Sequence, residues 1–307
     1  KVNPKAEIGS GVMVQVVADQ AETFPTSTLN DLSNPSYYPL PKGTKDYTTG
    51  PEVSYNNGKT NYYYYNLASG LRVYSSDIQR ISGSDVSNRI SGITVDSDSD
   101  YTRVILNMSD KASYVARYTG SAITFDFQYT TGVPDDLKNL TKNPLFTSAT
   151  WSGSRLTLTL ARNGGLIGYK AYYDSNDNLV LRFTNPPASF SDARIVVDPG
   201  HGYGDVGAVG FLPDYPEREI NQMIAEKLTD TLADMGAEVT MIDTLSSKID
   251  VRGRVAYAQN YNAHVLISVH ANSAQASSAA GSEAYYFYPN GKTLATNAAS
   301  RMASAPP

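Results

Sequence analysis

Arg194-Ile195-Val196-Val197-Asp198-Pro199-Gly200-His201-Gly202 decides how this chain is read. Ile195-Val196-Val197 is apolar at consecutive positions, as in a strand covered on both faces, and it runs into a glycine-rich turn. Beyond the turn the spacing predicts a helix over about 217–235, with Ile220, Ile224, Leu228 and Leu232 on one face and Gly236 closing its end. Val239-Thr240-Met241 predicts a second strand and Val251 to Asn260 a second helix, started by Asp250. Val265-Leu266-Ile267-Ser268-Val269 predicts a third, buried strand. Strand, helix, strand, helix, strand implies an α/β domain with a largely parallel sheet. Ala284 to Tyr288 reads as a further strand, and Lys292 to Ala303 as a further helix.

Of the three histidines in the chain, His201 and His270 each follow a predicted buried strand, and His264 precedes one. Open α/β sheets bind their ligands beyond the carboxyl ends of the strands, which is where His201 and His270 fall. Glu217 opens the first predicted helix, where the positive end of the helix dipole favours a carboxylate. Two imidazoles and one carboxylate are a ligand set for catalytic zinc that leaves one tetrahedral position for water or substrate. Singly, each residue reads as an ordinary core, surface or helix-start group. Together on one rim they point to a metal centre.

The rest of the composition narrows the function classes. The 307 residues are long enough for two or three domains, 41% are hydrophobic and 18% charged, and the formal net charge is −5. A chain of that charge offers no basic field for nucleic acid phosphates or anionic lipid head groups. Cysteine is absent, so any metal must rest on histidine and carboxylates. No apolar run reaches the length of a transmembrane helix, and the opening Lys1-Val2-Asn3-Pro4 lacks both an initiator Met and a signal-like segment. That start reads as a processed or engineered end. Tyrosine outnumbers phenylalanine, 23 to 8, an excess of amphipathic rings that suits exposed β-sheet or a sugar-facing surface.

Residues 1 to about 190 read as β-structure. Val12, Val14 and Val16 alternate with polar or larger residues, Tyr62 to Tyr65 and then Leu71 and Val73 follow, and Asn34-Pro35, Pro41-Lys42-Gly43 and Asn56-Asn57-Gly58 are turn signals. The strand order over 1–85, with its Leu40-Pro41-Lys42-Gly43-Thr44 turn, resembles bacterial SH3-like barrels. Over 86–190 the alternation is cleaner: Val104, Leu106 and Met108; Ile123, Phe125, Phe127 and Tyr129; Leu156, Leu158 and Leu160; Leu179, Leu181 and Phe183. The segment Ile90 to Val95 and Thr102 to Leu106 resembles the AMIN β-sandwich modules found beside cell-wall amidases. Pro186-Pro187-Ala188-Ser189 reads as a linker, leaving 191–307 for the α/β domain. The expected architecture is thus multidomain, two all-β modules followed by an α/β domain.

Four stretches of that last domain carry a specific resemblance: Val197 to Gly202, Asp205-Val206-Gly207-Ala208-Val209-Gly210, Glu217-Arg218-Glu219-Ile220-Asn221 and Ser268-Val269-His270-Ala271-Asn272. They resemble the zinc-dependent N-acetylmuramoyl-L-alanine amidases of the Amidase_3 family. The resemblance implies that His201, Glu217 and His270 hold Zn2+, that Arg254 is the family's helix arginine, and that Gly281-Ser282-Glu283 is a strand entry. Tyr203 departs from the usual glycine, a change that would narrow the turn. The implied reaction is hydrolysis of the amide between N-acetylmuramic acid and L-alanine in peptidoglycan, by an autolysin-type enzyme of the bacterial cell envelope. Family members use a second glutamate, in a late strand, as general base. No such segment occurs before Pro307, so that catalytic residue is expected beyond it, Glu283 reads as structural or near substrate, and the domain reads as C-terminally incomplete. The short Ala271 to Gly281 connection leaves no room for the inhibitory helix that some relatives carry.

Other readings stay in view. A non-catalytic envelope-binding protein with a decayed or truncated amidase domain would also lack the base. Gly202, Gly204 and Gly207 fit a dinucleotide fingerprint, but Pro213 and Pro216 prevent the helix that must open at once. A hydrolase triad of His201, His264 and Asp205 with a serine finds no G-x-S-x-G elbow.

Overall fold

The computed structural model describes residues 8–25, 38–132, 137, 143–210, 215–274, 278 and 280–304. The Asn34-Pro35 turn, Pro213 and part of the Ala271 to Gly281 connection lie outside the described residues. The chain divides into two compact units, Lys1–Asn185 with Glu283–Pro307, and Pro186–Ser282. Among the described residues no helix is long and apolar enough to cross a membrane.

In the first unit, strand Met13–Val16 lies between Lys45–Tyr47 and Ile78–Arg80, and a four-stranded sheet runs Thr23–Pro25, Leu71–Tyr74, Asn61–Asn66, Val53–Asn56. Two larger sheets follow. One is ordered Thr130–Thr131, Asn88–Ser97, Tyr101–Met108, Leu179–Thr184, Gly168–Tyr173, and the other Tyr114–Tyr118, Ala122–Phe127, Arg155–Leu160, Phe146–Ser152. Alternate residues of Tyr101–Met108, Ala122–Phe127 and Arg155–Leu160 are buried, and Val104, Leu106, Leu181 and Phe183 of the first sheet meet Ile123, Phe125, Leu156 and Leu158 of the second in one buried cluster. Edge-to-face contact of Phe146 with Phe183 at 5.0 Å adds quadrupole attraction to the apolar burial. The same cluster takes in Val14, Tyr65 and Leu71, and Lys45 exchanges backbone hydrogen bonds with Lys111 and Ser113 across position 85.

The segment Ala284 to Tyr288, expected as a strand, forms no sheet pairing, which corrects the reading of that run as strand. Tyr288 instead turns its ring against Tyr38 at 5.4 Å and donates its hydroxyl to Glu22 Oε1 at 2.9 Å, while Tyr285 and Phe287 are exposed. These side-chain partners take the place of a ladder. The helix Lys292–Ser304 follows.

The second unit is built on three parallel strands ordered Glu238–Met241, Arg194–Pro199, Val265–Val269. Helix Glu217–Asp234 covers one face, where Ile195 and Val197 pack with Ala225, Leu228 and Leu232. Helix Val251–Asn260 covers the other, where Val196 packs with Ile242 and Ala258. Cover on both faces is why the central strand is apolar without alternation. Asp250 caps the second helix by accepting from Gly253 N–H at 2.8 Å. Ile224, expected on the buried face of the first helix, is instead exposed, and the inward stripe is Glu217, Asn221 and Ala225. That helix turns polar groups inward because its first turns face the strand ends rather than the core.

Candidate metal centre

His201, Glu217 and His270 meet at the carboxyl ends of the parallel strands, with one potential ligand atom from each within 4.8 Å of the others. His201 Nε2 lies 3.1 Å from Glu217 Oε2, and His270 Nδ1 lies 3.2 Å from Glu217 Oε1. The two rings stand 5.0 Å apart at 79°. Exposure of the side chains rises from 7% at Glu217 through 23% at His201 to 43% at His270, so the group has a buried floor and an open side.

Each of the three is held by groups of its own. Glu217 Oε2 accepts from Ala208 N–H at 3.0 Å, and Oε1 accepts from the N–H groups of Ala271 at 3.2 Å and Asn272 at 3.1 Å. Burial pushes the Glu217 carboxyl up, but Ala208 N–H, His270, Asn272 N–H and the charge of His201 outweigh it and hold the carboxyl at about 2. It is therefore a committed anion. His270 packs over Gly200, where a β-carbon would come 2.4 Å from the ring, so this close approach requires glycine.

His201 has a backbone φ of +66°, a left-handed conformation costing on the order of 1 kcal/mol or more in a residue with a β-carbon. A clamp sustains it. Arg254 Nη2 donates to His201 O, and Nη1 donates to Pro199 O at 2.8 Å and to the buried carboxylate of Asp198, whose other oxygen accepts from Ser268 Oγ at 2.7 Å. Asn221, one helical turn after Glu217 and fully buried, donates to Gly200 O at 3.1 Å. Asp205 Oδ2 lies 2.9 Å from His201 Nδ1, the placing of an imidazole N–H that donates to a carboxylate. Asp205 is itself held below the usual carboxylate range, first by that hydrogen bond and then by Gly207 N–H.

This donor set fits a metal ion. In its neutral form, with the Nδ1 proton committed to Asp205, His201 turns the Nε2 lone pair toward Glu217, and a cation can take the place of the proton that otherwise lies between them. A carboxylate behind a ligating histidine is the usual outer support of such a site. Asp198, Asn221 and Ser268 were given no role from sequence, and Asp205 only a place in the triad that lacks its elbow; the His-x-x-x-Asp and Glu-x-x-x-Asn spacings are the signals that could have found Asp205 and Asn221.

His264 stands apart. It lies at the other end of its strand, its N–H donating to Arg194 O at 2.8 Å and its Nδ1 accepting from Arg194 N–H at 2.9 Å. Tyr203 is exposed, its N–H held by Thr244 O at 2.7 Å, so the ring is accommodated in solvent. Glu283 belongs to the first unit and accepts from Tyr285 Oη. The glycines of the apparent nucleotide fingerprint open no helix; a β-carbon on Gly207, at φ +69°, would meet His201 at 2.6 Å.

Comparison with known proteins finds similarity over the part of the chain that carries this site. Residues 195–307 match the Amidase_3 family. Its model describes N-acetylmuramoyl-L-alanine amidase. The chain is similar to the N-acetylmuramoyl-L-alanine amidase LytC of Bacillus subtilis, 36% identical over 92 residues, 30% of this chain and 18% of that protein. It is also similar to the probable cell wall amidase LytH of Staphylococcus saprophyticus, 32% identical over 130 residues, 42% of this chain and 43% of that one. Among solved structures, the catalytic domain of CwlV, an N-acetylmuramoyl-L-alanine amidase from Bacillus (Paenibacillus) polymyxa var. colistinus, is 33% identical, with a TM-score of 0.32 over 34% of this chain and 59% of that one. The chain thus spans less than two thirds of each of these relatives.

Proposed function

We propose that the protein hydrolyses the amide between N-acetylmuramic acid and L-alanine in peptidoglycan, with zinc held by His201, Glu217 and His270. The observation that carries the reading is the convergence of two imidazoles and one ionised carboxylate within 4.8 Å at the open end of a parallel sheet, with Asp205 behind His201. The Amidase_3 match over 195–307 supplies the reaction class. The modules over 1–85 and 86–190, with their SH3-like and AMIN-like sequence, would hold the enzyme to the wall outside the cytoplasmic membrane.

Zinc bound there would act as a Lewis acid and bring the pKa of its water from about 15.7 toward roughly 7. The chain's own groups divide the remaining work. Asp205 keeps the His201 proton on Nδ1. Arg254 fixes the turn that carries His201, and the partly exposed His270 borders the side from which an extended substrate can approach. Glu217, held at about 2, is suited to neutralise a cation and is a poor proton acceptor near neutral pH.

A second reading, a metal-binding wall protein without turnover, is favoured by one observation. Both carboxylates bonded to these histidines, Asp205 and Glu217, are pushed down, so neither is tuned as a general base. The test separates the two. The protein is loaded with zinc and incubated with purified peptidoglycan, and new L-alanine amino termini are measured, with EDTA and His201→Ala as controls. Release that both controls abolish supports the amidase. Stoichiometric zinc with no release supports the binding protein, and release that survives both controls removes zinc from the reaction.

A further inference from the structure

The first unit contains a cleft of about 560 Å³, within the size range of ligand pockets. It is lined by Gln15, Gln79 and Lys42 on the side of the three-stranded sheet, and by Lys170, Tyr172 and Tyr173 of the edge strand Gly168–Tyr173. Lys111 and Asp19 complete the charged lining, and with Asp177 paired to Lys111 three ammonium groups face two carboxylates in a chain whose net charge is −5. The local balance is one positive charge. The −5 net charge keeps long polyanions at a distance, and the cleft offers cationic contacts to a short stretch that can enter it.

The walls are built rather than incidental. Gln15 and Gln79 are direct cross-strand partners, and the Gln15 carboxamide is fixed by donating from Nε2 to Gly43 O at 3.2 Å. Gln20 Nε2 donates to Ala171 O at 2.8 Å, tying the edge strand to the opposite wall. Lys111 is fixed by Asp177 at 2.7 Å and by the Tyr173 ring at 5.1 Å. Lys42 is 65% exposed and 3.9 Å from Asp19, and Lys170 is exposed, so both ammonium groups remain available to an incoming anion.

We propose that this cleft binds an anionic glycan. Carboxamides suit sugar hydroxyls, because each amide both donates and accepts. The Tyr172 ring offers an apolar face to a pyranose, and Lys42 and Lys170 take the acidic substituents. The assignment deepens the wall-binding part of the proposed function and rests on it for the source of the glycan. The acid can come from the carboxylates of peptide-bearing glycan strands or from the phosphodiesters of a wall polymer, and the chemistry recognised is the same.

The experiment uses the full chain carrying His201→Ala, so that binding is read apart from turnover. Three probes are titrated calorimetrically: soluble peptide-bearing glycan fragments, a purified polyol-phosphate wall polymer, and neutral chitin oligosaccharides. At least one anionic probe is expected to bind more tightly than the neutral one, and binding should weaken with added salt. Lys42→Glu with Lys170→Glu should lower that affinity at least about tenfold, and Lys42→Arg with Lys170→Arg should retain it. Circular dichroism of each double variant checks the fold. The anionic probe that binds identifies the source. Equal binding of neutral and anionic probes, no binding of either anionic probe, or unchanged affinity in the folded Glu variant overturns the proposal. Failure of the amidase assay with binding intact would overturn the proposed reaction alone.

Discussion

Asp205 Oδ2 stands 2.9 Å from His201 Nδ1, on the side of the ring opposite the 3.1 Å contact of Nε2 with Glu217. The ring is thus held in the tautomer that leaves Nε2 open to an ion. Asp205→Ala should leave the fold intact, because Asp205 is exposed, and lower metal affinity about 10- to 100-fold. Competition with a metal-responsive chelator dye measures this, and unchanged affinity would refute the role.

Arg254 and Asp198 form a buried pair that also holds the carbonyls of Pro199 and His201. Removing one partner leaves the other charge buried without compensation. Arg254→Ala should cost about 3–5 kcal/mol in urea unfolding and take metal binding with it. A loss below about 1 kcal/mol, the size of an exposed pair, would show that the clamp is not needed.

Gly200 marks a different kind of dependence. In Gly200→Ala the new β-carbon occupies space 2.4–2.7 Å from the His270 ring, so the ring must leave its position. Strain of this kind costs about 1–3 kcal/mol, and the variant should fold with much reduced metal stoichiometry. Full stoichiometry by atomic absorption would contradict this.

Glu22 is a carboxyl that burial pushes up, against the hydrogen bond from Tyr288, and its Oε2 is buried without a partner among the described residues. A raised acid stabilises the fold fully below its unfolded pKa, and that contribution is lost as pH rises through the folded value. Melting temperature should therefore fall as pH rises from about 4.3 through the raised value more steeply in the parent than in Glu22→Gln. Identical pH profiles for the two proteins would refute it.

Much of this was legible in the sequence where one physical constraint acted alone. The continuous apolar run at 195–197 marks a strand covered on both faces, and Asp250 marks a helix start, because burial and capping are local demands. Val265–Val269, expected to be buried, is instead an edge strand whose residues are only partly covered and whose Ser268 is exposed, because it has a neighbour on one side only. His201, Glu217 and His270 stand out as a group because ligand-type residues end those elements. Ile224 misleads because apolarity is read as inward, whereas this helix gives its inward stripe to Glu217 and Asn221. Ala284 to Tyr288 misleads because an aromatic run carries no information on whether a partner strand is there to pair with. The tasks of Asp198 and Ser268 depend on a partner that the fold brings from seventy positions away, and spacing along the chain does not encode that.

Glu217 takes N–H groups from Ala208, Ala271 and Asn272 while sitting at the head of its own helix, and so ties together segments more than fifty positions apart. The pocket is therefore a frame set in advance, and an arriving ion would need to organise little chain. Chelation and reloading should then be reversible without refolding. Exchange would be limited by breaking the ion's own bonds to its ligands rather than by assembly of the unit.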